Sequence, residues 1–142
     1  MTVLNDAARA AITGGHLAHL VTVNADGSPQ VTVVWSGLDG DDIVTGHLGF
    51  HRKLRNVERD PRVVVSWETG GKSGPGLDEY LVVHGSARVT EGGAARLLHD
   101  LAQVYMGPGT KFPPMDDPPP GWILRITPER VGGLGPWNDA TS

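Results

Sequence analysis

The feature that most constrains this chain is how little sequence separates its first extended segments. His16–Asn24 (HLAHLVTVN) and Pro29–Ser36 (PQVTVVWS) are rich in β-branched and apolar residues, and only Ala25-Asp26-Gly27-Ser28 lies between them. Four residues of turn chemistry close an antiparallel hairpin but leave no room for the crossover that parallel strands need. Gly37–Asp42 is a second turn, followed by a strand at Ile43–Gly46. An open βαβ sheet is thereby excluded for the first third of the chain.

Further strands are predicted at Arg62–Glu68, Glu79–Thr90 and Trp122–Thr127. In Glu79–Thr90 the residues Leu81, Val83, Ala87 and Val89 share one face, opposite Tyr80, Val82, His84, Ser86 and Arg88. A Gly-rich loop, Thr69–Leu77, joins the first two of these strands. Three helices punctuate them. Asn5–Thr13 opens with an N-cap and closes at Gly14-Gly15. His51–Arg59 is stopped by Asp60-Pro61. Glu91–Tyr105 places Ala95, Leu98, Ala102 and Tyr105 on one stripe. Met106–Gly121 holds six of the eleven prolines and is read as irregular, as is the tail from Gly132. The expected fold is mainly β: a six-stranded antiparallel barrel with flanking helices, formed by residues 1–142 as one domain.

Composition narrows the function. The 142 residues contain no cysteine, which removes disulfides, thiolate metal sites and thiol nucleophiles. No apolar run reaches membrane-spanning length and no signal-peptide order opens the chain, so a cytoplasmic protein without a membrane span is expected. A net charge of −4 argues against non-specific nucleic-acid binding. Yet Arg52, Lys53, Arg55, Arg59 and Arg62 crowd into one short segment.

That cluster follows Thr45-Gly46-His47-Leu48-Gly49-Phe50-His51 and begins a helix. Glycines permit close approach, a helix N-terminus offers free N–H groups, and Lys53 and Arg55 add full charges, which together suit a phosphate. The same residues also suit a solvated basic helix whose arginines pair with Glu58 and Asp60. His16, His19, His47 and His51 lack the geometry or carboxylate company of a metal site, whereas a neutral His47 can polarise a ligand. No serine elbow, Walker loop or dinucleotide fingerprint is present. Trp35, Trp67 and Trp122 read as core or interface residues. Trp137 fits either a ligand cover or a partner contact.

Three stretches carry a family resemblance. They are the hairpin Leu17–Thr22 with Asp26–Val31, the segment His51-Arg52-Lys53-Leu54-Arg55-Asn56-Val57 with Arg59-Asp60-Pro61-Arg62-Val63, and Tyr80–Ala87 with its Gly85-Ser86-Ala87 element. The chain resembles the pyridoxamine-phosphate-oxidase-like split β-barrel superfamily. The Lys-x-Arg-Asn and Asp-Pro-Arg forms are most similar to the branch that uses the deazaflavin coenzyme F420, known mainly from actinobacteria. The match spans about Leu17–Val89, and the Pro-rich segment departs from it.

The resemblance implies a homodimer with cofactor grooves between subunits and a small-molecule substrate. Lys53 and Arg55 would hold the cofactor phosphate, with His51 and Asn56 near. Thr45, Gly46 and His47 would line the ribityl chain. The strand Gln30–Trp35, through Val33 and Val34, would lie along the ring, and Tyr80 would reach the partner's site. Arg52, Arg59 and Arg62 would meet an acidic tail. The implied activity is hydride transfer between reduced F420 and an activated double bond. FMN on the same barrel, or a non-catalytic F420 carrier, are the alternatives.

Overall fold

A computed structural model describes residues 3–138. It contains α1 (Asp6–Thr13), β1 (Ala18–Val23), β2 (Pro29–Val34), β3 (Gly37–Asp39), β4 (Asp42–His47), α2 (Arg52–Arg59), β5 (Arg62–Ser73), β6 (Leu77–Glu91), α3 (Ala94–Tyr105) and β7 (Trp122–Leu134). All strand pairs are antiparallel, and the sheet runs β2-β1-β5-β6-β7-β4-β3.

The two edge strands of this seven-stranded sheet are consecutive in the chain. Only Trp35 and Ser36 separate β2 from β3, a span of at most about 10 Å between flanking Cα atoms. The sheet must therefore curl until its edges meet at that corner without closing their ladders, which is a split barrel. Its interior is one cluster including Leu20, Ile43, Val65, Trp67, Leu81, Val83, Leu124 and Ile126. α1 plugs one side with Ala8, Ala11 and Ile12, its first turn capped by the Asn5 carboxamide oxygen, which accepts from the Ala8 amide at 2.8 Å. Ser36 ties the corner together: its hydroxyl donates to the Ile12 carbonyl and accepts from the buried Trp67 indole.

The expected six strands are seven. Gly37–Asp39, read as turn, pairs with β4 from Gly37↔Val44 to Asp39↔Asp42. Much of the Gly-rich loop Thr69–Leu77 is the tip of the β5–β6 hairpin, with Lys72↔Asp78 and Ser73↔Leu77 in register. The tail is not irregular from Gly132, because β7 runs to Leu134 opposite Tyr80. α3 begins at Ala94 rather than Glu91, since Glu91 still pairs with Trp122 and Gly93 turns the chain at φ 81°. Its most buried residues are Ala94, Leu101 and Ala102, while Leu98 lines a groove and Tyr105 stacks on Trp35. Gly85 is dictated by packing: a Cβ there would lie 2.5 Å from the Thr127 carbonyl oxygen.

Candidate functional site

A groove of about 380 Å³ opens where β2, the end of β4, the start of α2 and α3 converge. Val33, Val34 and Trp35 from β2 and the residue after it, and Gly46, His47 and Leu48 at the end of β4, line it together with His51 and Lys53, which add polar groups. Leu17, Leu98 and Phe112 complete an otherwise apolar lining.

Lys53 is the unusual group here. It is half-buried, and burial lowers its pKa below the ordinary value. No acceptor or carboxylate among the described residues meets its ammonium. A desolvated cation without a partner is costly, and an anionic group entering the groove removes that cost. The first turn of α2, which carries Lys53, also lacks a side-chain cap, so its dipole end is open to the same anion.

His47 is buried, and its Nε2 lies 2.7 Å from the Thr45 hydroxyl. Burial first, then the charges of Lys53 and His51, push its pKa down to about 3. The ring is therefore neutral at physiological pH: a dipole for a ligand to meet, not an acid. The chain behind it is pinned by Gly121, whose φ of +62° and approach to the His47 carbonyl leave no room for a Cβ. Gly46 lets α3 close in, as a Cβ there would meet Leu98 at 3.1 Å.

Lys53 and Arg55 do not converge. Two residues apart on a helix they diverge by about 200°, and Arg55 lines a neighbouring cavity of about 400 Å³ with Arg52, Asn56, Arg59 and Asp26. Arg55 donates to the Phe50 carbonyl at 3.1 Å. Arg59 donates to the Val23 carbonyl at 2.6 Å and to the Asn56 oxygen at 3.0 Å. Arg62 is committed to Asp60 by a two-pronged pair, which holds the Asp60 carboxyl down to about 2. Part of the basic cluster thus follows the solvated-helix reading, while Lys53 does not.

Asn56 is 2% exposed. Its amide nitrogen faces Thr22, Asn24 and Gln30 oxygens at 3.0–3.1 Å, so the buried Asn56 and the partly buried Gln30 form a clamp fastening α2 to the β1–β2 hairpin. Tyr80 is 46% exposed near the start of β6 and does not line the groove. Sequence reasoning missed Phe112, hidden among prolines that signalled only irregular chain. Trp137 turns inward and is 6% exposed within the core cluster, so it neither covers the groove nor presents a surface to a partner.

Comparisons with known proteins fit this architecture. A structure described as an F420 reductase superposes with TM-score 0.70 at 26% identity, covering 87% of this chain and 94% of that one. A conserved hypothetical protein of Mycobacterium tuberculosis aligns at TM-score 0.72 and 22% identity, over 99% and 96% of the two chains. An FMN-binding protein from Syntrophomonas wolfei aligns at TM-score 0.64 and 13% identity, over 89% and 83%; both of these latter likenesses concern the fold. No curated protein matches by sequence. The model of the pyridoxamine 5'-phosphate oxidase family matches residues 4–135. With a split barrel of that architecture and a groove beside the basic helix, the chain belongs to the pyridoxamine 5'-phosphate oxidase family.

Proposed function

We propose that this chain is a cytoplasmic, single-domain F420-dependent reductase that works as a homodimer and reduces an activated double bond in a small organic substrate. The observation that carries the reading is the half-buried Lys53, without a partner among the described residues, in a largely apolar groove. In this reading Lys53, with His51 beside it, binds the cofactor phosphate at the open end of α2. Val33 and Val34 lie along the ring, and Gly46 and neutral His47 border the ribityl chain. Thr45 positions the His47 ring. Asn56 and Gln30 act at one remove, by fixing α2 against β2.

The deazaflavin, when bound, supplies the hydride; the protein supplies position and electrostatics. Arg52 and Arg55, on the neighbouring face of α2, favour F420 over FMN, because its phosphodiester and oligoglutamate tail carry more negative charge than one phosphate. The likeness to the F420 reductase structure supports the same choice. A second subunit would cover the apolar outer face of the hairpin, where Val31 and Val33 are 60% and 53% exposed. It would also bring its own Tyr80 towards the groove.

FMN is a second reading for one reason: Lys53 is the one lysine or arginine among the described residues that line the groove, and one such cation answers one phosphate. The test is single-turnover oxidation of reduced F420 by an enone acceptor, with reduced FMN in parallel. The proposal expects turnover with F420 that Lys53→Met abolishes at working cofactor concentrations. Turnover with FMN alone contradicts the F420 assignment. Tight F420 binding without turnover of any acceptor marks a carrier and contradicts the enzyme.

A further inference from the structure

Part of the groove's apolar lining is built from aromatic rings. Trp35 and Phe112 both line it, with ring centroids 5.1 Å apart and planes inclined by 54°. Tyr105 backs Trp35 in a parallel stack, centroids 5.2 Å apart at 13°. The Tyr105 hydroxyl cannot drift, since it donates to the His16 carbonyl at 2.8 Å and accepts from the Ser36 amide at 3.0 Å.

Phe112 is delivered by the Pro-rich segment after α3, which is tied down rather than free. Gln103 accepts from the Gly109 amide at 2.7 Å and donates to the Thr110 carbonyl at 2.9 Å. Pro113 is buried, and the segment's far end is locked by Gly121 against the His47 carbonyl. A phenyl ring on so constrained a backbone forms a fixed wall.

We infer that Trp35 and Phe112 form a specificity subsite that selects acceptor substrates carrying a flat, uncharged, conjugated ring system. The inference rests on the reductase reading above and names the substrate class of that same groove. Flat π-systems gain from offset or edge contacts with both rings, beyond the area they bury. A puckered or aliphatic acceptor gains only the burial. A cationic acceptor meets no carboxylate among the described lining residues, and an anionic one competes with the cofactor phosphate for Lys53.

The test uses the full-length protein and two uncharged probes, planar 1,4-naphthoquinone and puckered cyclohex-2-enone. Binding of each is titrated with saturating F420 and again without cofactor, following tryptophan fluorescence and heat. Phe112→Ala is expected to weaken naphthoquinone about tenfold while shifting cyclohexenone and F420 by no more than about twofold. Phe112→Leu, which keeps bulk but not the π-face, is expected to fall between, and melting curves confirm that both variants fold. Equal losses for the two probes, an unchanged naphthoquinone affinity, or no binding of either probe to the wild type would overturn the subsite. An F420 affinity that falls as far as the naphthoquinone affinity assigns Phe112 to the cofactor and overturns it too. Failure of the wild type to bind F420, with naphthoquinone preference intact in the cofactor-free protein, refutes the reductase reading and leaves the aromatic subsite standing.

Discussion

Replacing Lys53 by methionine separates what this residue does for binding from what it does to the fold. Methionine keeps most of the stem and removes the charge. Lys53 is a partly desolvated cation with no partner among the described residues, and burial puts its pKa below the unfolded value of 10.5. A base whose folded pKa is depressed costs stability wherever it is protonated in both states. That penalty is fully present below the folded pKa, fades as pH rises from the folded pKa to 10.5, and is gone above 10.5. Lys53→Met is therefore expected to leave the ligand-free protein as stable as wild type, or to raise Tm by up to a few degrees. Anion binding moves the other way. A charge-assisted hydrogen bond to a partly buried group contributes about 1.5–3 kcal/mol, so F420 affinity should fall roughly 10- to 150-fold. The assay is a calorimetric titration paired with a thermal melt on the same preparation. Unchanged affinity would remove Lys53 from the site. A Tm several degrees lower would show that the ammonium has a structural partner, and would refute the reasoning.

Two other perturbations probe the same corner. His47, held near pKa 3 against 6.5 when unfolded, takes up protons on unfolding between those values, so stability should fall as pH drops from about 6.5 towards 4, by at most ~1.4 kcal/mol per pH unit. Urea unfolding at stepped pH should show this slope, and His47→Asn should flatten it; Asp60, held near 2, contributes chiefly below that window. Gly121→Ala sets a Cβ 2.3 Å from the His47 carbonyl at a φ of +62°, and should cost about 1–3 kcal/mol together with F420 affinity. A variant with wild-type melting and binding would show that this pin is dispensable.

What could be read in the sequence follows from where side chains alone encode structure. The β1–β2 hairpin, α1 and the alternation in β6 were legible, because β-branched runs, an Asn cap and a period of two are local signals. The strand Gly37–Asp39 was not, as its three residues have no strand propensity and pair only because Ile43 and Val44 present a ladder. The same holds for Gly132 and Gly133, drawn into β7 by Val82 and Leu81.

At the site, the basic segment pointed to the part of the chain beside which the structure has a groove, yet grouped residues by sequence proximity. Helix geometry sends Lys53 and Arg55 into different cavities, and burial turns Asn56 into a clamp. Phe112 was invisible because its position is fixed by hydrogen bonds made by Gln103, nine residues earlier, and by Gly121, nine later. Trp137 was ambiguous for a similar reason: its burial depends on β7 continuing further than its glycines suggested.

The central claim, that the groove beside α2 holds a deazaflavin, is tested most directly by titrating the purified protein with F420 and with FMN in parallel, following cofactor fluorescence and heat. Micromolar or tighter binding of F420, with FMN markedly weaker, is the predicted result. Preference for FMN would keep the groove and overturn the cofactor, and binding of neither would return the basic helix to a solvated surface and contradict the account.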